Sequence, residues 1–150
     1  MLSRIEDIKK ALQAEAYLSA LALALTIPDI CGKLQNPTAR VGARYRQWYE
    51  ENLPELHTHF FSSHNCYKLR CAFLHEGRNP DASELESIAE FTLCYGKYIR
   101  YGESTFLGEL VCRSIQVDIP QLCNAMCNAA RAFYEKYHDQ YNFNFLNIIL

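Results

Sequence analysis

The first 27 residues constrain the fold more than any other stretch of the chain. From Leu2 to Leu12, apolar residues recur at three- and four-residue spacing, which is the pattern of an amphipathic helix. The apolar stripe then widens through AYLSALALALTIP, residues 16–28, until it surrounds the helix. A helix that is apolar on all sides needs neighbours on all sides. We therefore predict one long helix over residues 2–27 inside a helical bundle, ended or kinked by Pro28 and followed by at most a short turn.

Three further helices are predicted downstream. Residues 43–53 place Tyr45, Trp48 and Tyr49 on one helical face, and Pro54 ends that segment. The next helix begins at Ser62 or Ser63, both good N-caps, and runs to Glu76, with Gly77 as its C-cap. Asp118 is expected to cap the last helix, with Pro120 in its first turn. The predicted buried stripe of that helix consists of Leu122, Ala125, Met126, Ala129, Phe133 and Tyr137.

Between the third and fourth helices the residue pattern changes. Residues 88–95 and 111–117 carry β-favouring residues with partial alternation, which predicts two strands of a small antiparallel insertion within 84–117. A helix over 83–101 is the alternative. The tail 141–150 ends in apolar residues and is expected to pack against the domain. The predicted fold is a single, mainly α domain over residues 1–150, a bundle of four to five helices with a small β element near 88–117.

Composition and charge narrow the possible classes of protein. No run reaches the roughly 18 apolar residues of a membrane span, so no membrane partner is expected. Seven cysteines without a secretion signal favour reduced thiols, mostly used in packing, and a cytoplasmic location. The net charge of −2 gives no global attraction for nucleic acid. Residues 33–78 nevertheless hold seven basic side chains against four acidic ones, which fits either a small polyanion site or ordinary surface scatter.

The stretch YKLRCAFLHEG, residues 67–77, places Arg70 and His75 at the end of an otherwise apolar helix. It resembles the R-x4–6-H signature of the HEPN superfamily, the higher eukaryote and prokaryote nucleotide-binding domains. The surroundings are similar too: a long first helix, an aromatic-rich second, a motif helix ending in H-x-G, and a closing helix. The resemblance covers most of the chain, with 84–117 as an addition. Family members often carry a polar residue directly after the arginine, where this chain has Cys71.

The resemblance implies a function. Many HEPN proteins are metal-independent ribonucleases, including toxins and phage-defence proteins, and they commonly dimerise with their motif helices facing each other. By this resemblance Arg70 and His75 are the catalytic pair of a homodimer that cleaves RNA without a cofactor, in a bacterial defence or toxin setting with a possible antitoxin protein as partner. The alternative is a non-catalytic module of the same fold that dimerises or binds a nucleotide or a partner protein.

The residue types suit RNA cleavage. That reaction needs a base for the 2′-hydroxyl proton, an acid for the leaving 5′-oxygen and a cation beside the phosphorane; histidine can act as base or acid, and arginine binds phosphate oxygens. One His75 cannot be protonated and neutral at once, whereas two copies in a dimer can divide these roles. Positions five apart differ by about 140° around an ideal helix, so Arg70 has to reach around to His75. The candidate substrate-binding residues are Tyr67, Lys68, Arg78 and Arg44.

Two other interpretations use some of the same residues. An arginine and a histidine on an amphipathic helix are usually a solvated edge or a cap contact. Histidine and cysteine are also dense enough here to suggest zinc, and Cys71 and His75 have the i, i+4 spacing that puts two ligands on one helical face. No second pair of ligands with knuckle spacing accompanies them, so we expect no metal site. The side chains considered for zinc are His57, His59, His64, Cys66, Cys71 and His75.

Overall fold

Helices dominate the architecture, as predicted, but they are shorter and more numerous than expected. A computed structural model describes residues 1–96 and 98–144, and within them seven α-helices surround one core. In chain order the elements are α1 (Leu2–Gln13), α2 (Tyr17–Leu25), α3 (Ile27–Gln35), α4 (Val41–Asn52), α5 (Pro54–His59), α6 (Ser63–Cys71), a π turn (Ala72–Glu76), a 3-10 turn (Ala82–Glu84), β1 (Glu90–Cys94), β2 (Arg100–Phe106), β3 (Glu109–Asp118) and α7 (Ile119–Tyr137).

The prediction of one helix over residues 2–27 is wrong. The chain leaves helical geometry after Gln13, and Glu15 adopts a left-handed conformation with φ 56°. This turn lets α2 fold back onto α1, and both helices also pack on α7. A straight helix of that length would extend about 40 Å and leave much of its apolar surface without neighbours. Folding back buries Ile5 and Ile8 of α1 together with Leu21 of α2.

Pro28 begins a helix instead of ending one. It occupies the first turn of α3, where its missing N–H costs nothing, so α3 is a nine-residue helix where only a short turn was expected. The window Tyr17–Gln35, which spans α2 and α3, is apolar and long enough to meet the criteria for a membrane span, contrary to the sequence expectation. It is 44% buried, and the core helices of soluble proteins meet the same criteria. Both helices pack on α7, and α3 also packs on α4.

The aromatic face predicted for the second helix is confirmed. Tyr45, Trp48 and Tyr49 of α4 are fully buried, and Trp48 contacts Phe133 of α7 edge-on at 5.9 Å. Asp118 caps α7 by accepting a hydrogen bond from the Gln121 N–H, as predicted. In the predicted stripe of α7, Leu122, Met126, Ala129 and Phe133 are buried, whereas Ala125 and Tyr137 are half-buried.

The β element is a mixed sheet, so the antiparallel prediction is only partly correct and the helical alternative for 83–101 is wrong. The strand order is β1-β3-β2, with β1 parallel and β2 antiparallel to β3. The two predicted strands correspond to β1 and β3. No strand was predicted between them, but this segment forms β2, joined to β3 by a two-residue turn at Leu107–Gly108.

The sheet is joined directly to the helix that carries the motif. Asn65 of α6 is buried, donates to the Glu86 carbonyl at 3.4 Å and accepts from the Glu86 N–H at 2.7 Å, just before β1 begins. Phe61, immediately before α6, stacks on Phe91 of β1 with ring centroids 6.0 Å apart. The start of this segment, at Glu86 and Phe91, is therefore packed on the bundle. In the tail, Phe143 is buried against aromatic residues of α7, and residues 145–150 lie outside the described residues.

Candidate active site at the end of the motif helix

The motif helix begins and ends as predicted, but its last turn is wider than an α-helix. Ser62 caps α6 by accepting from the Asn65 N–H, and Gly77 ends the helix in the left-handed conformation with φ 65°. Between them Ala72–Glu76 form a π turn, in which the Gly77 N–H donates to both the Ala72 and the Phe73 carbonyls, five and four residues back. Such turns bring positions five apart closer together than an α-helix does, and they recur at functional sites.

This turn changes the geometry expected for the two motif residues. Arg70 Nη1 and His75 Nε2 lie 2.6 Å apart. Because a guanidinium has no acceptor, Nε2 must accept this hydrogen bond, and the imidazole proton is then on Nδ1. His75 is exposed and Arg70 is half-buried, so the pair lies at the surface where a substrate can reach it.

A third side chain, Asp29, contacts the Arg70–His75 pair and was not identified from the sequence. We call these three residues the array. Asp29 lies in the first turn of α3, and its Oδ2 accepts from Arg70 Nε at 2.8 Å; the two side chains are only 17% and 16% exposed. Burial alone would lower the pKa of Arg70, but the hydrogen bond and charge of Asp29, followed by the neighbouring Cys71 thiol, raise the pKa above its ordinary value. Arg70 is therefore held as a cation between a carboxylate and an imidazole.

The Asp29 carboxylate in turn depends on Arg70 to balance its charge. Its second oxygen, Oδ1, is buried and has no hydrogen-bond partner among the described residues. Removing one member of a largely buried ion pair typically costs about 3 kcal/mol, because the remaining charge is left desolvated and unpaired. One sequence signal could have found Asp29, since it is the only acidic residue between Glu15 and Glu50 and stands in an apolar helical stretch.

Tyr67, predicted to contact substrate, is packed beside this array. Its ring lies 5.2 Å from that of Tyr45, and the Arg46 guanidinium stands over it at 5.7 Å. Gly42 of α4 approaches so closely that a Cβ there would lie 3.1 Å from the ring. Burial, followed by the neighbouring Cys71 thiol, raises the pKa of Tyr67. Arg46 is thus a cation near the motif that was not among the predicted site residues.

The other three predicted substrate-binding residues lie in different surroundings. Arg78 donates to Glu76 at 2.6 Å and to Glu84 at 2.7 Å, so its guanidinium is already engaged by carboxylates. Those hydrogen bonds raise the pKa of Arg78, and the contact lowers the pKa of Glu84 to about 2. Lys68 also interacts electrostatically with Glu84. Arg44 points to the α3–α4 connection, where its Nη1 donates to the Ala39 carbonyl at 3.3 Å.

The side chains considered for zinc are dispersed into separate contacts. His57 Nδ1 accepts from the Ser63 N–H, His59 pairs with Glu55, and the buried Cys66 thiol contacts the Tyr45 hydroxyl. Within residues 1–96 and 98–144, no group of three or more histidine, cysteine or acidic side chains is arranged to hold a metal ion. What the array can do by itself is bind an anion through Arg70 and exchange a proton through His75.

Comparison with known proteins assigns no family to this arrangement. No family model matches the sequence, and no curated protein or solved structure matches it.

Proposed function

We propose that this chain is a HEPN-like ribonuclease that cleaves RNA as a homodimer through Arg70 and His75. The observation that carries the proposal is the contact between these two side chains, 2.6 Å apart at the protein surface, with Asp29 anchoring the arginine. The motif alone is short enough to occur by chance. Two unrelated surface side chains would rarely contact each other directly. Here a π turn brings Arg70 and His75 together, and Asp29 on another helix holds the arginine.

The chemistry follows from the groups present. When Arg70 Nη1 turns from His75 Nε2 to the substrate phosphate, Nε2 is free to accept the 2′-hydroxyl proton. O2′ then attacks phosphorus, and the bond from phosphorus to O5′ breaks as a second acid delivers a proton to O5′. The products are a 2′,3′-cyclic phosphate and a 5′-hydroxyl. Arg70 uses two of its five N–H donors in the contacts with Asp29 and His75, and others can bind the non-bridging oxygens, where negative charge develops.

The second acid is the reason for proposing a dimer. His75 Nε2 accepts a hydrogen bond from Arg70, so a single site supplies the base form of the imidazole. A second His75, from the partner copy, can supply the protonated form once its Nε2 has released Arg70 and gained a proton. Such an enzyme must be restrained in its host, which fits a cytoplasmic defence or toxin role with a protein antitoxin.

The test is RNA cleavage by purified protein in EDTA, followed by analysis of the new ends. We expect His75→Ala to lose at least about 100-fold in rate, the usual contribution of a general acid or base. His59→Ala is the matched control, because His59 is also an exposed histidine and its Nε2 pairs with the exposed Glu55. Retained cleavage in His75→Ala, with folding intact, would refute the catalytic assignment.

A non-catalytic module is the second candidate, and Cys71 is the observation that favours it. A thiol replaces the polar residue that often follows the arginine in this family, and here Cys71 lies beside Tyr67 and Arg70. If wild-type protein cleaves no RNA but binds oligonucleotides or nucleotides in a way that Arg70→Gln abolishes, this second function replaces the first.

A further inference from the structure

A second arginine, Arg46 of α4, lies beside the array. Within residues 1–96 and 98–144, its guanidinium stands 5.7 Å from the centroid of the Tyr67 ring and makes no hydrogen bond or ion pair. Glu50, four residues later on α4, could pair with it, but that carboxylate accepts from the Ser63 hydroxyl at 2.6 Å. A guanidinium has five N–H donors, so Arg46 offers all of them to solvent or to a ligand.

Packing fixes the position of Arg46. The side chain is half-buried and lies over the Tyr67 ring, as cations do over the faces of aromatic rings. The ring is itself fixed, because it contacts Tyr45 at 5.2 Å and Gly42 leaves just enough room for it against α4. A guanidinium that is already oriented loses less conformational freedom when it binds an anion.

Arg46 and Arg70 adjoin the same aromatic side chain from two packed helices. Arg70 follows Tyr67 by three residues on α6, and positions three apart share one helical face. Burial raises the pKa of Tyr67 and the charge of Arg70 opposes that rise, so Arg70 lies near the Tyr67 hydroxyl. Asp29 balances the charge of Arg70, whereas no carboxylate in the described part of the chain pairs with Arg46.

We propose that Arg46 binds a phosphate of single-stranded RNA next to the phosphate held at Arg70. The choice of RNA rests on the proposed function, which this contact deepens. The planar fork of a guanidinium matches two phosphate oxygens, and successive phosphates of one strand can reach two neighbouring cations. Proteins that bind single strands combine cations and aromatic rings in this way. Tyr67 is then a positioning residue that orients Arg46.

Fluorescence anisotropy with a short 2′-O-methyl oligoribonucleotide in EDTA tests the contact. The blocked 2′-oxygen prevents cleavage, so binding is measured alone. Arg46→Gln should bind at least about 10-fold more weakly at low salt, and the salt dependence of log K should become shallower by about 0.7, the value for one phosphate on a single strand. Arg131→Gln removes the same charge from α7 and should bind like wild type. Equal losses in both variants, or an unchanged salt dependence in Arg46→Gln, would overturn the proposal.

Conservative variants separate the fork from the charge, and they keep the test valid if Arg46→Gln folds poorly. Arg46→Lys should keep the salt dependence but bind about 3-fold more weakly, because an ammonium is a point charge without the fork. Tyr67→Phe should bind like wild type, since the ring orients Arg46. Tyr67→Leu should lose about 3-fold with an unchanged salt dependence. Loss of binding in Tyr67→Phe would mean that the hydroxyl contacts RNA, and the proposed arrangement would be wrong.

Competition with a nucleoside monophosphate distinguishes a strand from a single phosphate. Two linked contacts raise the effective concentration of the second phosphate, so the monophosphate should displace the oligonucleotide only at about 100-fold higher phosphate concentration. Displacement at equal phosphate concentrations would overturn the assignment to a strand.

Binding and cleavage together show which proposal fails. If wild type cleaves RNA and Arg46→Gln binds and cleaves equally well, the Arg46 contact is refuted and the ribonuclease stands. If wild type binds the blocked strand through Arg46 but cleaves no RNA, the phosphate contact stands and the ribonuclease is refuted. A wild type that binds no strand refutes the contact, whatever its activity.

Discussion

Asp29 holds Arg70 from a separate helix, 41 positions earlier in the chain, through a 2.8 Å contact between Oδ2 and Nε. The motif arginine is therefore oriented by the packing of α3 near α6 and not only by its own helix. This relationship makes Asp29 a positioning residue for any chemistry performed by Arg70 and His75.

Replacing Asp29 by Asn should therefore reduce RNA cleavage without removing either motif residue. Asparagine keeps the size of the side chain but loses the charge that fixes the guanidinium, and misplacement of a catalytic group by about 1 Å can cost on the order of 100-fold in rate. Single-turnover cleavage measures this effect. Asp7→Asn, on the exposed face of α1, is the control and should cleave like wild type. An unchanged rate in Asp29→Asn would show that the contact has no role in cleavage.

A double-mutant cycle should detect strong coupling between Asp29 and Arg70. Arg70→Ala leaves the Asp29 carboxylate buried and unpaired, so it should lower the free energy of unfolding by about 3 kcal/mol. The double variant Asp29→Asn/Arg70→Ala should regain part of that loss, with a coupling energy of about 1–3 kcal/mol. Urea unfolding measures all four proteins. Additive effects would mean that the two side chains do not interact in solution.

The stability of the loop after the motif should depend on acid pH through Glu84. Its pKa is lowered from 4.5 to about 2 by hydrogen bonds, first from Arg78 and then from the Asp81 backbone. Because the folded pKa is the lower one, the stabilisation is fully present above about 4.5 and is lost as the pH falls toward 2. Melting temperatures of wild type and Glu84→Gln should converge over this interval. A constant difference between them down to pH 2 would contradict the assignment.

Glycine should be required at position 77 because the backbone there is left-handed, and not because a larger side chain would lack room. A Cβ at this position would meet no atom within 4 Å among the described residues beyond its chain neighbours, whereas φ is 65°. Gly77→Ala is expected to cost about 1 kcal/mol of unfolding free energy, and Gly77→Asn less, because asparagine tolerates the left-handed region. Thermal unfolding ranks the three proteins. Equal stability of the alanine variant would mean that the helix end rearranges when its cap is changed.

Helices whose ends carry clear capping residues could be predicted from the local sequence. Ser62, Gly77 and Asp118 are caps with clear chemistry, and the helices they bound were predicted correctly. The turn at Glu15 could not be predicted in this way, because neither glycine nor proline marks it and the break is imposed by packing of α2 against α1. The parallel pairing of β1 with β3 is likewise a choice of partners that alternation within a strand does not encode.

The candidate site was predictable only in part. Arg70 and His75 were proposed from their spacing and the family resemblance. An ideal helix separates the two side chains, and no residue pattern in the sequence marks the π turn that brings them together. Asp29 and Arg46 reach the site from other helices, so their proximity depends on the tertiary fold. Arg78 was a reasonable phosphate ligand by charge alone, yet its neighbours Glu76 and Glu84 engage it first.

The paired hydrogen bonds between Asn65 and Glu86 have a mechanical consequence. The backbone of Glu86, which leads into the sheet, is hydrogen-bonded twice by the Asn65 side chain of the helix that carries Arg70. Separating the strands from the bundle breaks these two hydrogen bonds and leaves the buried Asn65 amide without these partners. Force exerted on the sheet, by whatever molecule grips it, is thus delivered about one and a half helical turns from Arg70.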